Sequence, residues 1–398
     1  MKITDRLYGL LQRKTNTTVF IPQIDGLRFL AILMVVLYHI NIFVTVKVPF
    51  AFTRPTADYW WMFRLLDSDR KGVFLFFIIS GFILALPFAR AARGESKPVE
   101  LKKYYLRRFT RLEPPYFLVM SACFLGILLL QGNEFAATFP QTFSGLFPRL
   151  AASLIYMHNI IFPQYLSVNP VAWSLEIEVQ FYLLVPLLVQ VFKLPAIFRR
   201  IVLACATAGF IFLQHHFSLP VDTLFNYIQY FFLGFLLVDL YLSEIKFKFP
   251  VWASFIIGLL CLLFIGYADL RARNYLEYIF PIVALGFYLL VLTDSLWRKV
   301  FSLRYITAIG GMCYSIYLLH YNIIPVLGNT TIKFNLFQSY PLTYFWHALI
   351  LIVPIVLFSG IFYLLIERPC MDKDWPTKFW FAVKRFFGPK PLPPSTAE

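Results

Sequence analysis

The chain has 398 residues, of which 59% are hydrophobic, 19% are aromatic and only 14% are charged. Soluble globular proteins carry about 25% charged residues, so this composition excludes a soluble enzyme and predicts a protein that crosses a membrane several times. The net charge of +15 has two explanations, nucleic-acid binding and the excess of Lys and Arg that membrane proteins carry in their cytoplasmic segments. The second is the better explanation for a chain of this composition. The five cysteines show no metal-ligand spacing, so neither a metal site nor a disulfide framework is expected.

Ten apolar windows are long enough to span a hydrocarbon layer about 30 Å thick. They cover residues 27–46, 72–89, 114–131, 173–192, 201–217, 224–242, 250–267, 276–293, 305–327 and 342–366. With a cytoplasmic N-terminus, the inside segments hold 26 Lys and Arg and the outside segments hold 9. This asymmetry predicts an all-α membrane bundle of about ten transmembrane helices with both termini in the cytoplasm, and it explains the basic charge without nucleic acid.

Three regions follow from this topology. Residues 1–26 are predicted to be a cytoplasmic segment, residues 27–366 the transmembrane domain and residues 367–398 a cytoplasmic tail. In the tail, KFWFAVKRFF alternates bulky apolar and basic residues, as a helix lying on the membrane surface does, and PKPLPPSTAE is expected to be disordered. We find no pair of related halves of the kind from which many transporters are built.

The first window contains two ionisable side chains, although burying such groups in a membrane is costly. Arg28 lies near its beginning and His39 lies deep inside it. Eleven residues of helix make about three turns, so both side chains share one face and lie roughly 16 Å apart. Because neutral imidazole accepts a proton readily near neutral pH, His39 is predicted to be a general base on a path leading in from Arg28. A histidine bonded between helices is the structural alternative.

A basic and aromatic stretch, KKYYLRRFTRLEPPY, precedes the third window at 102–116. Arg108 and Arg111 lie three residues apart, on one side of a helical turn, close to Tyr104, Tyr105 and Tyr116. Paired guanidiniums bind phosphates, and aromatic rings stack on a planar base. The stretch therefore predicts a site for a cytoplasmic phosphorylated ligand, with ordinary topology-determining charge as the alternative.

Two glutamates occur where the fourth window begins, in NPVAWSLEIEVQFYLLVP at 169–186. Glu176 and Glu178 are two residues apart and face almost opposite ways on a helix, so only one is expected to point into the bundle. Ser174, Glu178 and Tyr182 follow a spacing of four and form one polar stripe, which favours Glu178 as the inward residue. In the functional interpretation, the carboxylate of Glu178 orients an imidazole or an acceptor hydroxyl. In the structural interpretation, it makes a buried hydrogen bond.

Weaker signals complete the set. The pair Ser80-Gly81 lies in mid-window, where small residues permit close helix packing. Tyr314, Tyr317 and Tyr321 share one helix face. Glu367 ends the last window at the inner surface, where an ion pair with a basic segment is expected. His320 is interpreted as structural, and the remaining histidines are given no role.

An ordered set of motifs resembles the acyltransferase 3 family of integral-membrane O-acyltransferases. The set comprises Arg28 with His39 eleven residues later, G-V-F-L-F-F-I-I-S-G-F at 72–82, R-x-x-R at 108–111 with Pro114, W-S-L-x-x-E at 173–178 with Q-F-Y at 180–182, Y-S-I-Y-L-L-H at 314–320 and E-R-P at 367–369. The resemblance covers residues 25 to 370. It implies that Trp173 supports the site, together with the residues already described, which are Ser80, Ser174, Tyr182, Tyr314 and Glu367. Glu176 departs from the pattern, because a small residue is usual there.

The resemblance implies transfer of an acyl group, most often acetyl, from cytoplasmic acyl-CoA to a sugar hydroxyl of a lipid-linked or surface glycan. Examples of such acceptors are lipopolysaccharide, exopolysaccharide and peptidoglycan. It implies that His39 is essential and that Arg28, Arg108 and Arg111 bind the donor. Some members carry an additional extracytoplasmic esterase-like domain after the membrane part. Because we see no such domain in this sequence, a stand-alone transferase is expected. The expected location is a bacterial plasma (inner) membrane.

The combined hypothesis is an enzyme with acyl-CoA as co-substrate and no permanently bound cofactor. The donor phosphates contact Arg108, Arg111 and Arg28, with Tyr116 nearby, and the acyl arm follows the first helix to His39. His39, oriented by Glu178 or a nearby polar group, then activates the acceptor hydroxyl or becomes transiently acylated. The alternatives are a transporter or flippase of a lipid-linked sugar and an inactive homologue that binds glycan.

Overall fold

The computed structural model describes residues 8–13, 20–48, 59–67, 70–130, 139–140, 142–217, 221–245, 249–270, 275–337, 339–372 and 374–378. Within these ranges the regular structure is helical and no β-strand occurs, which confirms the all-α prediction. The principal helices are α1 (Pro22–Lys47), α2 (Trp60–Leu66), α3 (Lys71–Ala92), α4 (Leu101–Leu129), α5 (Phe143–Leu154), α6 (His158–Ile161), α7 (Trp173–Leu188), α8 (Ala196–His216), α9 (Ile228–Leu242), α10 (Val251–Tyr267), α11 (Leu276–Thr293), α12 (Ser295–Val300), α13 (Arg304–Gly311), α14 (Cys313–Thr331) and α15 (Tyr340–Phe362).

Seven helical segments in the described part of the chain are long and apolar enough to cross a membrane. They contain α1, α3, α4, α7, α8, α11 and α15. Two further windows, 224–242 and 250–267, fall on α9 and α10, which are apolar but shorter. The remaining window, 305–327, falls on α13 and α14 together. The chain is therefore a multi-pass membrane protein, while the number ten and the cytoplasmic position of both termini stay predictions.

Helix α1, which carries Arg28 and His39, lies in the middle of the bundle. It packs against α3, α13, α14 and α15. Leu27, Ala31 and Ile40 on this helix are fully buried. Proline at the start of α1 fits its first turn, where a backbone N–H would have no partner inside the helix. Both predicted site residues of α1 thus face other helices and not lipid alone.

The close approach of α3 and α9 confirms the packing predicted for the Ser80-Gly81 pair. A methyl group added to Gly81 would lie 2.4 Å from the carbonyl oxygen of Phe231, and one added to Gly234 would lie 2.4 Å from that of Ile78. At these distances a side chain does not fit at either position, and only the hydrogen atom of glycine does. The two helices are therefore in backbone contact, and this contact holds α3 in the position from which Ser80 reaches the site.

Two boundaries differ from the hydropathy windows for physical reasons. The basic stretch at 102–113 is not a separate loop, because α4 runs without interruption from Leu101 through Pro114 and Pro115 to Leu129. The window at 305–327 is divided, since α13 ends at Gly311 and α14 begins at Cys313. A methyl group on Gly310 would lie 1.7 Å from the carbonyl oxygen of Asp25, so α13 ends in tight contact with the start of α1.

Most of the predicted tail lies outside the described residues. This applies to residues 379–387 of the proposed surface helix and to the end expected to be disordered. Of the predicted N-terminal region, residues 8–13 and 20–26 are described. Arg13 approaches Asp25 at 3.6 Å, so this part of the N-terminal region contacts the beginning of α1.

Candidate active site

Two cavities in the described part of the chain are lined by predicted site residues. The first, which we call the arginine cavity, has a volume of about 100 Å³ and is lined by Arg28, Arg108 and Arg111, among others. The second, the histidine cavity, has a volume of about 650 Å³ and is lined by His39 and the rings of Trp173 and Tyr321. Only the second has the volume of an ordinary ligand pocket, which is about 300–1,000 Å³.

The same helices pass from one cavity to the other. On α1, Arg28 lines the arginine cavity, whereas residues 35–47 contribute to the histidine cavity. On α3 the order is reversed, and on α14 the tyrosines 314, 317 and 321 run from the first cavity to the second. Residues 28 to 47 of a helix extend about 28 Å, so the two cavities together cover nearly the thickness of a hydrocarbon layer. They therefore lie towards opposite ends of the bundle.

The arginine cavity combines guanidinium and carboxylate groups. Arg28 donates to Asp25 at 2.6 Å, and Arg108 lies 5.7 Å from the ring centre of Tyr182. Ser80 donates to Glu178, so the helices α3 and α7 meet at this carboxylate. The fully buried Glu367 accepts from the backbone N–H of Ser315 at 3.1 Å and from its hydroxyl at 2.6 Å.

Some polar atoms of this cavity are buried without a hydrogen-bond partner. They include Nε of Arg111 and Oε1 of Glu367. Buried polar groups in proteins are normally paired, and an unpaired one costs free energy. Both atoms are enclosed by protein, so the side chains of Arg111 and Glu367 each keep one polar atom without a hydrogen bond among the described residues.

His39 makes its main polar contacts with α1 itself and with α14. Its Nδ1 lies 2.8 Å from the carbonyl oxygen of Val35 and 3.3 Å from Nε2 of His320. The ring centres of the two histidines are 4.9 Å apart, and the rings of Tyr38 and Tyr321 pack edge-on against His39 at 5.2 and 5.3 Å.

These contacts assign the tautomer of both imidazoles. A carbonyl oxygen only accepts, so Nδ1 of His39 carries a proton that it donates to Val35. Likewise Nδ1 of His320 donates to the carbonyls of Ile316 and Tyr317, which leaves Nε2 of His320 as an acceptor for His39. Nε2 of His39 is then unprotonated, on a side chain that lines the histidine cavity. Such a nitrogen is available as a base or a nucleophile.

Most of the predicted site residues line one of the two cavities. Nine line the arginine cavity: Arg28, Ser80, Arg108, Arg111, Ser174, Glu178, Tyr182, Tyr314 and Glu367. His39 and Trp173 line the histidine cavity, where the guanidinium of Arg70 lies 4.7 Å from the ring centre of Trp173. The predicted residues are thus divided between two chambers and do not form one cluster.

Three expectations need correction. Tyr116 is fully buried, stacks on Tyr156 and donates to the carbonyl of Ser153, so its side chain does not line the arginine cavity. Glu178 lines the arginine cavity and not the cavity of His39, and within hydrogen-bond distance of His39 lies His320, a nearby polar group of the kind allowed as the alternative. Glu176 is also buried, since its carboxylate accepts from the backbone N–H of Asn159 at 2.8 Å.

Two residues at or beside the histidine cavity were not predicted: Arg70 lines the cavity, and His320 contacts His39 without lining it. His320 was interpreted as structural, although the motif Y-S-I-Y-L-L-H ends on it and its spacing from Tyr317 was visible. Arg70 immediately precedes α3, where it is ion-paired with Asp222 at 3.0 Å. A lone arginine just outside an apolar window gave no signal beyond ordinary topology.

Comparisons of the sequence with known proteins identify a family and several relatives. A family model described as "Acyltransferase domain" matches residues 21–364. The peptidoglycan O-acetyltransferase OatA of Listeria monocytogenes is 24% identical over 92% of this chain and 58% of its own length. YrhL of Bacillus subtilis, named as a proposed peptidoglycan O-acetyltransferase, is 26% identical over 46% of this chain and 25% of its own.

A proposed O-acetyltransferase of Staphylococcus aureus strain COL is 25% identical over 42% of this chain and 24% of its own length. The chain therefore spans less than two thirds of each of these relatives. No solved structure is significantly similar to it. Because the family model covers most of the chain, including every helix from α1 to α15, the chain belongs to the acyltransferase 3 family of membrane acyltransferases.

Proposed function

We propose that the protein is a membrane O-acetyltransferase that moves an acetyl group from cytoplasmic acetyl-CoA to a hydroxyl of a glycan or lipid-linked saccharide. The observation that carries this proposal is the pair of cavities on α1, α3 and α14, one with three arginines and the other with His39. The named activities of the relatives support O-acetyl transfer. In this proposal the membrane is a bacterial plasma membrane and the arginine cavity opens at its cytoplasmic face, which the distribution of Lys and Arg along the chain supports.

The donor enters through the arginine cavity. A volume of about 100 Å³ is too small for a nucleotide but suits a narrow pantetheine arm, so the nucleotide stays at the mouth. Arg108 and Arg111, which are partly exposed, hold its phosphates there. Arg28 already pairs with Asp25 and stabilises the floor of the cavity. The distance of about 16 Å along α1 from Arg28 to His39 matches a long, thin thioester arm.

The acceptor occupies the histidine cavity. Its volume of about 650 Å³ accommodates a saccharide of more than one ring. The rings of Tyr38, Trp173 and Tyr321 provide flat apolar surfaces, and His39 and Asn329 provide hydrogen-bonding groups. This mixture of aromatic faces and hydrogen-bonding groups suits sugar rings better than an acyl tail.

In the proposed reaction, Nε2 of His39 accepts the proton of the acceptor hydroxyl as that oxygen attacks the thioester carbonyl carbon. The C–S bond then breaks, and the departing thiolate takes the proton from His39, so the products are an ester and CoA thiol. His320 accepts from Nδ1–H of His39, and this bond strengthens while the imidazole is positively charged. In the alternative route, the same Nε2 attacks the thioester first and carries the acetyl group transiently.

The proposal is tested with purified protein in lipid nanodiscs, acetyl-CoA labelled in the acetyl group, and soluble peptidoglycan fragments or a lipid-linked saccharide as acceptor. We expect acceptor-dependent CoA release and label in the glycan. Arg111→Met should raise the KM for acetyl-CoA about tenfold or more with a smaller change in kcat, because one charge-assisted hydrogen bond contributes about 1.5–3 kcal/mol. Movement of an unlabelled saccharide across the bilayer without acetylation would instead favour a transporter.

His320 is expected to act on His39 and not on substrate. His320→Ala removes an acceptor of the Nδ1 proton, while Val35 still accepts it, so kcat should fall about tenfold with an unchanged KM for acetyl-CoA. His320→Gln, whose amide oxygen accepts a hydrogen bond, should recover part of the loss. A purely structural role for His320 would lower folded yield in both variants and leave the kcat of the remaining protein unchanged.

A further inference from the structure

The two cavities have two lining residues in common, Val73 of α3 and Tyr317 of α14. On α3, residues after Val73 line the arginine cavity and Arg70 before it lines the histidine cavity. On α14, Tyr314 lies on one side and Tyr321 on the other. These two side chains, which we call the partition, therefore separate the chamber of the arginines from the chamber of His39.

Tyr317 is held in place at its hydroxyl end. The hydroxyl donates to the carbonyl oxygen of Val171 at 2.8 Å and lies 2.6 Å from the hydroxyl of Ser174. Since the proton of Tyr317 is used for Val171, Ser174 donates to Tyr317. The ring of Phe76 packs edge-on at 6.2 Å from its centre. The aromatic side of the partition is thus fixed to the start of α7.

The valine side of the partition is fixed by the backbone. A methyl group on the neighbouring Gly72 would lie 2.8 Å from the carbonyl oxygen of Ala31 and 2.8 Å from a methyl of Val35. Helices α1 and α3 are therefore as close as they can be at this level. Because α3 is held against α1 and the hydroxyl of Tyr317 is held by Val171 and Ser174, the side chains of the partition determine the opening between the chambers.

From this geometry we propose that Val73 and Tyr317 select the acyl group by size. The proposal rests on the function proposed above, in which a thioester enters from the arginine cavity and reacts at His39. The acyl group must then pass the partition, while the acceptor stays in the histidine cavity. A small acetyl group passes between an isopropyl group and a phenol ring, and each added methylene meets one of them. The partition also keeps acceptor and water of the large chamber away from the donor arm.

The test compares acetyl-, propionyl- and butyryl-CoA as donors for the wild-type protein and for Val73→Ala and Val73→Leu. We expect Val73→Ala to raise the butyryl-to-acetyl ratio of kcat/KM about tenfold, which is typical of one methylene in an apolar pocket. Val73→Leu should shift the ratio the other way. Val291→Ala on α11, equally buried and away from both cavities, is the matched control and should keep the wild-type profile.

A second measurement is the hydrolysis of acetyl-CoA by water in the absence of acceptor. Tyr317→Phe removes the hydroxyl that contacts Val171 and Ser174, so acetyl-CoA hydrolysis without acceptor should rise several-fold relative to transfer. Identical donor profiles in wild type, Val73→Ala and Val73→Leu, with acetyl transfer intact, would overturn the partition and leave the proposed function standing. Absence of transfer from any acyl-CoA by the wild-type protein would instead remove the proposed function itself.

Discussion

Replacing His39 with alanine is expected to lower kcat for acetyl transfer by about 10³-fold, within the range of 10²–10⁴ that general acid–base catalysis contributes. The reason is the position of Nε2, which is unprotonated while Nδ1–H is donated to Val35 and His320. No other histidine lines either cavity in the described part of the chain, so none can replace it. The measurement is acceptor-dependent transfer of labelled acetyl by purified protein in nanodiscs.

The control for this experiment is His216→Gln, since His216 is exposed at the end of α8 and, among the described residues, its hydrogen bond is to the carbonyl of Phe212 in its own helix. It should transfer acetyl at the wild-type rate. Acetyl-CoA should bind to the His39→Ala variant as to wild type, because the arginine cavity is unchanged. Transfer within threefold of wild type would exclude both routes through His39. Rapid acid quenching separates those routes, as only the nucleophilic route leaves acetyl on His39.

Replacing Gly81 with alanine is expected to have the largest effect on folding. The added methyl group would lie 2.4 Å from the carbonyl oxygen of Phe231, and a backbone oxygen cannot turn aside as a flexible side chain can. Helices α3 and α9 would have to separate, at a cost of about 3 kcal/mol or more in stability. The check is the yield of monodisperse protein and the midpoint of thermal unfolding in detergent.

Gly286→Ala on α11 is the matched substitution, because a methyl group there meets nothing within 4 Å. It should retain wild-type yield and gain slightly in stability, since alanine favours helix over glycine. If Gly81→Ala unfolded at the same temperature as Gly286→Ala, the backbone contact between α3 and α9 would not hold the bundle together in the way described.

The sequence predicted the helices and the shared face of Arg28 and His39 well, because hydropathy and helical periodicity are local properties. The contact of His39 with His320 could not be foreseen, since it joins residues 281 positions apart through the packing of α1 on α14. Proximity in sequence also misled at Tyr116. It lies five residues after Arg111, which on a helix is about 140° away, so the two side chains face different neighbours.

The two glutamates show a related limit. Periodicity correctly separated the directions of Glu176 and Glu178, but it treated one direction as the inside of the bundle and the other as its outside. Helix α7 has packed neighbours on both sides, with Ser80 of α3 meeting Glu178 and the backbone of Asn159 in α6 meeting Glu176. Which faces of a helix are covered depends on its neighbours, and a single chain segment contains no information on them.

The histidine cavity has a pharmacological consequence. Its rim includes Val46, of which 67% is exposed, near the end of α1. In the proposed function, a compound shaped to occupy this cavity of about 650 Å³ would compete with the acceptor saccharide and not with the nucleotide of the donor.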